Sequence, residues 1–245
     1  MAGTARLASA FRIPQSAIER METSLHRQLK EYYAGDASAQ EVACDGYRID
    51  AIRGRRLIEI QHGSLAAIRD KIAALLKKHR VTVVKPIVVR KQLVKLDRRG
   101  GAVVESRLSP KRGGALDLFD ELVYFTRVFP HQRLTLEVAL VEVEELRYPG
   151  HGRRRRRRER DYQVEDQRLV RVVEVLRFRT LADLRKLLPR QLPATFHTGH
   201  LAECLHIERW VAQRIAYCLR ETGAIQPVGK QGNALLYRQR QRKSA

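Results

Sequence analysis

No stretch of this 245-residue sequence stays apolar for the ~18 residues that a membrane-spanning helix needs, so an integral helical membrane protein is excluded. Cysteine is scarce. Cys44, Cys204 and Cys218 form no CxxC pair and are odd in number, which argues against a disulfide scaffold and fits a reducing cytoplasm. There is no glycine-rich P-loop and no serine–histidine–aspartate pattern, so ATP hydrolysis and acyl transfer find no support. Acidic residues are also in short supply: 27 against 48 lysines and arginines, a net charge of +21. Six of those positive charges lie in the run Arg153–Arg158, and the remaining excess is spread along the chain. Such a surface favours polyanions, nucleic acid above all.

What is present is the composition of a globular chain, 44% hydrophobic and 31% charged. The first 18 residues carry two arginines and no acid but lack the apolar core of a secretory signal, so residues 1–18 are expected to form an arm. Ile18, Met21, Leu25 and Leu29 then recur at helical spacing. Residues 41–61 read as three short strands. Ser64 is placed to cap an amphipathic helix whose apolar face is Leu65, Ile68, Ile72, Leu75 and Leu76. A strand-rich stretch follows, with Pro86 marking a bend or an edge. After a basic turn containing Lys111 and Arg112 come a helix from Ala115 and an alternating strand from Leu134. The arginine run, between proline–glycine and acidic residues, marks a linker over 149–163. Beyond it the period becomes helical: residues 165–178 and 180–192 are predicted to be amphipathic helices.

The three strands align an acidic row. Asp45-Gly46 and Gly54-Arg55 are two-residue hairpin turns, and each independently brings a carboxylate level with Asp50: Glu41 from one side, Glu59 from the other. Gln61 and Arg48 share that face, while Val42, Cys44, Ile49, Ala51, Ile58 and Ile60 form the apolar one. Like charges facing each other on a sheet are destabilising and call for a cation. Arg48 is one answer. A divalent metal is another, because Mg²⁺ takes oxygen ligands and typically binds one or two carboxylates plus phosphate.

The sequence YRID, then EIQ eight residues later, between a helix with a hairpin and a second amphipathic helix, resembles the restriction-endonuclease-like PD-(D/E)XK nuclease superfamily. The resemblance covers roughly Glu19 to Asp97 and implies an α/β fold with a mixed-sheet α-β-β-β-α-β core, here over residues 19–148. It places the motif aspartate on Asp50, the acidic residue on Glu59 and the lysine position on Gln61, with Glu22 or Glu31 as an acid from the first helix. It implies Mg²⁺ or Mn²⁺ as cofactor and metal-assisted phosphodiester hydrolysis. It also implies a homodimer, although no segment marks an interface. Glutamine departs from the family's lysine, since it carries no charge and shuttles no proton. The alternative is a DNA-binding protein in which the nuclease fold serves only as a scaffold.

Residues 164–240 resemble a winged helix-turn-helix domain, a small, mostly helical module. Leu201, Ala202 and Leu205 face one way in the first helix. Val211, Ile215 and Leu219 repeat down the second, which ends at Gly223. The outer face of that second helix carries Arg209, Gln213, Arg214, Tyr217 and Arg220, and Lys230 lies near the tip of the wing. Arginine and glutamine reach base edges in a major groove, so double-stranded DNA is the expected partner. His197, His200, Cys204 and His206 form a weaker zinc candidate, at a spacing that matches no familiar module.

Overall fold

The computed structural model describes residues 23–34, 39–150 and 161–239. Glu22, the arm over 1–18 and the arginine run 153–158 lie outside them. Among the described residues no helix is long and apolar enough to cross a membrane.

The chain forms a mixed α/β fold around a large sheet. Helix α1 (Ser24–Ala34) leads into the meander β1 (Gln40–Cys44), β2 (Tyr47–Arg53) and β3 (Arg56–Ile60). Both expected turns are present. Asp45 and Gly46 have φ of 47° and 80°, and Gly54 has φ of 59°, the left-handed conformations that two-residue hairpins need. A 3₁₀ turn over Leu65–Ile68 runs into α2 (Arg69–Leu75), and the Ser64 hydroxyl accepts from the amide of Ala66 as its cap. All five expected apolar residues of this segment are buried.

Strand β4 (Arg80–Leu96) then pairs parallel with β3 and with β6 (Leu134–Pro149); β5 (Val103–Leu108) folds back on the far end of β4. Pro86 therefore sits in a central strand. β3 leaves β4 at Val84 and β5 joins only at Gln92, and Pro86 falls in the gap, where no strand requires an N–H. The short α3 (Leu118–Leu122) lies between β5 and β6.

Residues 165–178 are not a helix. They lie within β7 (Tyr162–Phe178), which pairs antiparallel with β6 from Leu136↔Phe178 to Pro149↔Tyr162. Its five valines favour an extended chain, and β6 supplies the ladder. Three register irregularities between the two strands disturb the alternation, and Leu169, Val172 and Leu176 imitate a helical spacing as a result. The described ends of the expected linker 149–163 thus lie on paired strands, at Pro149↔Tyr162, and the sheet runs on to Phe178. Its strand order is β1-β2-β3-β4-β6-β7.

Two apolar layers sandwich the sheet. Leu25, Leu29 and Tyr33 of α1 pack on Ala51, Ile58, Ile60, Val84 and Val141. On the other face Ile72, Leu75, Phe119, Leu122 and Phe125 cover Ile49, Leu57, Val81, Val83 and Leu136. The expected single apolar face is therefore divided at Asp50, with Ile49 in one layer and Ala51 in the other.

The remainder comprises α4 (Leu181–Arg185), β8 (Thr195–Phe196), α5 (Thr198–Leu205), α6 (Arg209–Glu221), β9 (Ile225–Gln231) and β10 (Ala234–Gln239). The three strands form a small antiparallel sheet in the order β8-β10-β9. Its core of Phe196, Leu201, Ile215 and Leu219 is continuous with Phe119 and Leu122 of the large sheet's cover. The Cys218 thiol contacts the carbonyl of Phe119 at 3.6 Å, and burial pushes its pKa up to about 12, so it is a packed, un-ionised group.

The start of α4 carries a reciprocal cap: the Thr180 hydroxyl accepts from the amide of Asp183 at 3.3 Å, and the Asp183 carboxylate accepts from the Thr180 amide at 3.0 Å. Thr180→Ala is expected to cost about 1 kcal/mol in urea denaturation, with an unchanged m value.

Candidate functional site

The site is built where β2 and β3 part. The two strands pair at Arg53↔Arg56, Ile52↔Leu57 and Ala51↔Ile58, and the next step brings Asp50 level with Glu59. There the ladder stops, and β3 continues alone beside β4, with Glu59 opposite Val83. Asp50 fills the fork: its Oδ2 accepts from the amide of Ile60 at 2.7 Å, where a strand carbonyl would have served. Its Oδ1 lies 3.3 Å from Nε2 of His26 on α1. Burial opposes ionisation of Asp50, but the bonds from His26 and Ile60 and the charge of Lys71 outweigh it and hold the pKa below the ordinary carboxylate value.

Glu59 is 7% exposed. Its Oε1 accepts from Lys71 Nζ at 2.6 Å, and the same ammonium donates to the Arg48 carbonyl at 2.6 Å. Burial and then the neighbouring Asp50 charge raise the Glu59 pKa, with Lys71 pulling against them. Glu59 Oε2 is buried without a hydrogen-bond partner. An anionic pair with one orphaned, inward-facing oxygen fits a divalent cation that takes oxygen ligands.

Glu41 stands apart from that pair. Its backbone is left-handed, with φ of 54°, and its carboxylate accepts from Lys30 and Arg48. It is neutralised by cations and is not aimed at Asp50. Gln61 turns back on its own loop and donates to the Ser64 carbonyl at 3.0 Å. Glu31 is exposed on α1, and the side chain that helix brings to Asp50 is His26, not an acid.

Sequence reasoning missed Lys71, His26 and His62. Lys71 lies ten residues past Gln61 on the next helix, and no motif spacing marks it; its face of α2 was the only signal. His62 packs against His26 with ring centroids 5.3 Å apart, and its Nε2 is buried without a partner. Burial, then the nearby positive charges of His26 and Lys85, lower its pKa to about 4.

The C-terminal face is partly as expected. Arg209, Gln213 and Tyr217 are exposed on α6, joined by Trp210, which is 56% exposed. Arg214 is not free to reach a groove: it pairs with Asp120 of α3 and lies over the Trp210 ring. Arg220 is held by Glu221 at 2.8 Å. Lys111 and Arg112 are exposed, as is Lys230, one residue short of the β9–β10 turn. Residues 112–117 and the α5–α6 junction line one groove of about 920 Å³, so Arg112 and Arg209, far apart in sequence, share it. His197 and His200 are stacked and cap α5: His197 Nδ1 accepts from the amides of Gly199 and His200 at 3.0 and 3.2 Å. They do not join Cys204 in a ligand set. The group that does gather, among the described residues, is Cys44, Asp45 and His79.

The family model described as domain of unknown function DUF8091 matches residues 23–179. The chain belongs to that family. The DUF8091 match begins just before α1 and ends just after β7, and so coincides with the large sheet and includes β7. An uncharacterized protein of Treponema pallidum (strain Nichols) is 29% identical over 224 residues, 89% of this chain and 85% of the relative. That alignment is too long to be confined to either portion, so the DUF8091 sheet and the C-terminal helices are shared together. No solved structure matches the chain.

Proposed function

We propose that this DUF8091 protein is a divalent-metal-dependent DNA nuclease whose C-terminal helices bind the substrate. The observation that carries the reading is the grouping of Asp50, Glu59 and Lys71 at a fork between strands. The order α1-β1-β2-β3-α2-β4, with β4 parallel to β3, supports a restriction-endonuclease-like core. The order α4-β8-α5-α6-β9-β10 supports a winged helix.

Asp50 and Glu59 would hold a Mg²⁺ or Mn²⁺ ion, which supplies charge stabilisation at a phosphate and lowers the pKa of a bound water. Lys71 supplies the fixed positive charge that Gln61 lacks. Its ammonium pulls against the burial and the Asp50 charge that raise the Glu59 pKa, and it would stabilise charge on a phosphate oxygen. His26 steadies Asp50, and the Ile60 amide fixes the orientation of its carboxylate. Arg112 and Arg209 would contact the phosphate backbone from the rim of a groove they share with Asp117, Glu203 and Glu208, while Gln213 and Tyr217 remain exposed for groove contacts.

One observation favours the second reading, a DNA-binding protein without catalysis: Gln61 is spent on its own loop. Supercoiled plasmid incubated with Mg²⁺ or Mn²⁺ separates the two. The nuclease reading expects nicked or linear product with the wild type and a loss of at least about 10²-fold with Asp50→Asn. Binding of the plasmid by both proteins, with cleavage by neither, would favour the second.

A further inference from the structure

The turn between β1 and β2 and the junction between α2 and β4 meet at a second group of ligand-type side chains. Cys44 Sγ lies 3.6 Å from His79 Nε2, and the same Nε2 lies 3.1 Å from Asp45 Oδ2. All three atoms fall within 4.8 Å of one another. We propose that Cys44, Asp45 and His79 form a binding site for a zinc-class divalent cation, with water as the fourth ligand.

Two arguments converge on the ion. The first is metric. With Zn–S of ~2.3 Å, Zn–N of ~2.0–2.1 Å and tetrahedral angles, sulfur and nitrogen ligands should be about 3.6 Å apart, and nitrogen and oxygen about 3.3 Å apart. The observed 3.6 and 3.1 Å lie close to those separations. The second is chemical. An imidazole Nε2 carries either one hydrogen or one lone pair. Protonated, it can donate to Asp45 but then offers nothing to the thiol; bare, it can accept from the thiol but then faces a carboxylate oxygen. A cation among the three atoms satisfies all of them at once. Lys78, with Nζ 3.3 Å from Asp45 Oδ2, partly neutralises the same carboxylate, but its side chain is largely exposed and can swing away.

The ligand set separates this site from the acidic fork. Thiolate and imidazole select zinc-class ions, whereas two carboxylates suit Mg²⁺ or Mn²⁺. Its position suggests a brace. An ion here would clip the β1–β2 hairpin, which carries Asp50, to the end of α2, which carries Lys71. The inference itself does not depend on nuclease activity.

The test uses the full chain stripped of metal by chelator and titrated with Co²⁺. The expected result is one equivalent bound with the intense visible bands of tetrahedral cobalt and a thiolate-to-cobalt charge-transfer band. Zn²⁺ should displace both and raise the Tm. Cys44→Ser should abolish the charge-transfer band, and His79→Ala should weaken binding by more than about 100-fold. Circular dichroism checks that each variant folds. Asp50→Asn should bind cobalt like the wild type, so failure of the acidic site and failure of this one are distinguishable. An octahedral spectrum, or binding equally tight in wild type, Cys44→Ser and His79→Ala, would overturn the proposal. So would binding that survives Cys44→Ser but disappears with Cys204→Ser.

Discussion

Under the proposed nuclease function, Lys71→Met should lower the rate of DNA cleavage by about 10²–10³-fold, the usual cost of removing one preorganised electrostatic group. The same change should also destabilise the fold. Glu59 is buried, its Oε1 depends on Lys71, and its Oε2 already has no partner. Breaking a buried pair by deleting one member costs about 3–5 kcal/mol. The lower end is expected here, because Glu59, its pKa already raised, can take up a proton instead of remaining as an unpaired charge. Glu59→Gln removes that charge. The double variant Lys71→Met/Glu59→Gln should therefore regain most of the lost stability while cleavage stays absent. Urea denaturation and plasmid nicking on the same four proteins read the two effects separately. A double variant no more stable than Lys71→Met would show that the pair is not energetically coupled.

His62 should make the protein sensitive to mild acid. Its folded pKa is lowered to about 4, while the unfolded chain keeps the ordinary value near 6.5. Between those values the unfolded state binds the proton and the folded state does not, so stability rises with pH across the window. The contribution is fully present above about pH 6.5 and falls away as the pH drops toward 4, a loss of roughly 3 kcal/mol at most. Glu59 acts in the opposite sense, because its raised pKa favours the folded state as acid is added. The informative quantity is thus the difference between wild type and His62→Gln, measured by denaturation at several pH values between 4 and 7.5. The difference should shrink steadily with acid. Parallel curves would mean that His62 is not held neutral.

Local chemistry was the most legible part of this fold. Asp45-Gly46 and Gly54-Arg55 fixed the register of three strands, because left-handed turn residues leave few alternatives, and Asp50 fell beside Glu59 as expected. Ser64 and the five buried residues after it were equally plain. What failed was whatever depends on partners distant in sequence. Residues 165–178 imitate a helix because bulges against β6 shift their alternation, and only the neighbouring strand reveals them as β7. Arg214 has the chemistry of a DNA contact, but Asp120 of α3, 94 residues earlier, claims it. Lys71 and His26 reach the acidic pair from two helices on opposite faces of the sheet, a convergence that no spacing in the chain encodes. Cys44, Asp45 and His79 likewise meet only because α2 returns the chain to the first hairpin.

The central claim is that Asp50, Glu59 and Lys71 form one metal-dependent catalytic centre. Calorimetric titration of Mn²⁺ into zinc-saturated protein tests it most directly, with wild type, Asp50→Asn and Glu59→Gln compared and each preparation assayed for plasmid nicking. The account predicts one wild-type Mn²⁺ site, with binding and nicking lost together in both variants. DNA binding with no Mn²⁺ heat and no nicking, in all three proteins alike, would contradict it.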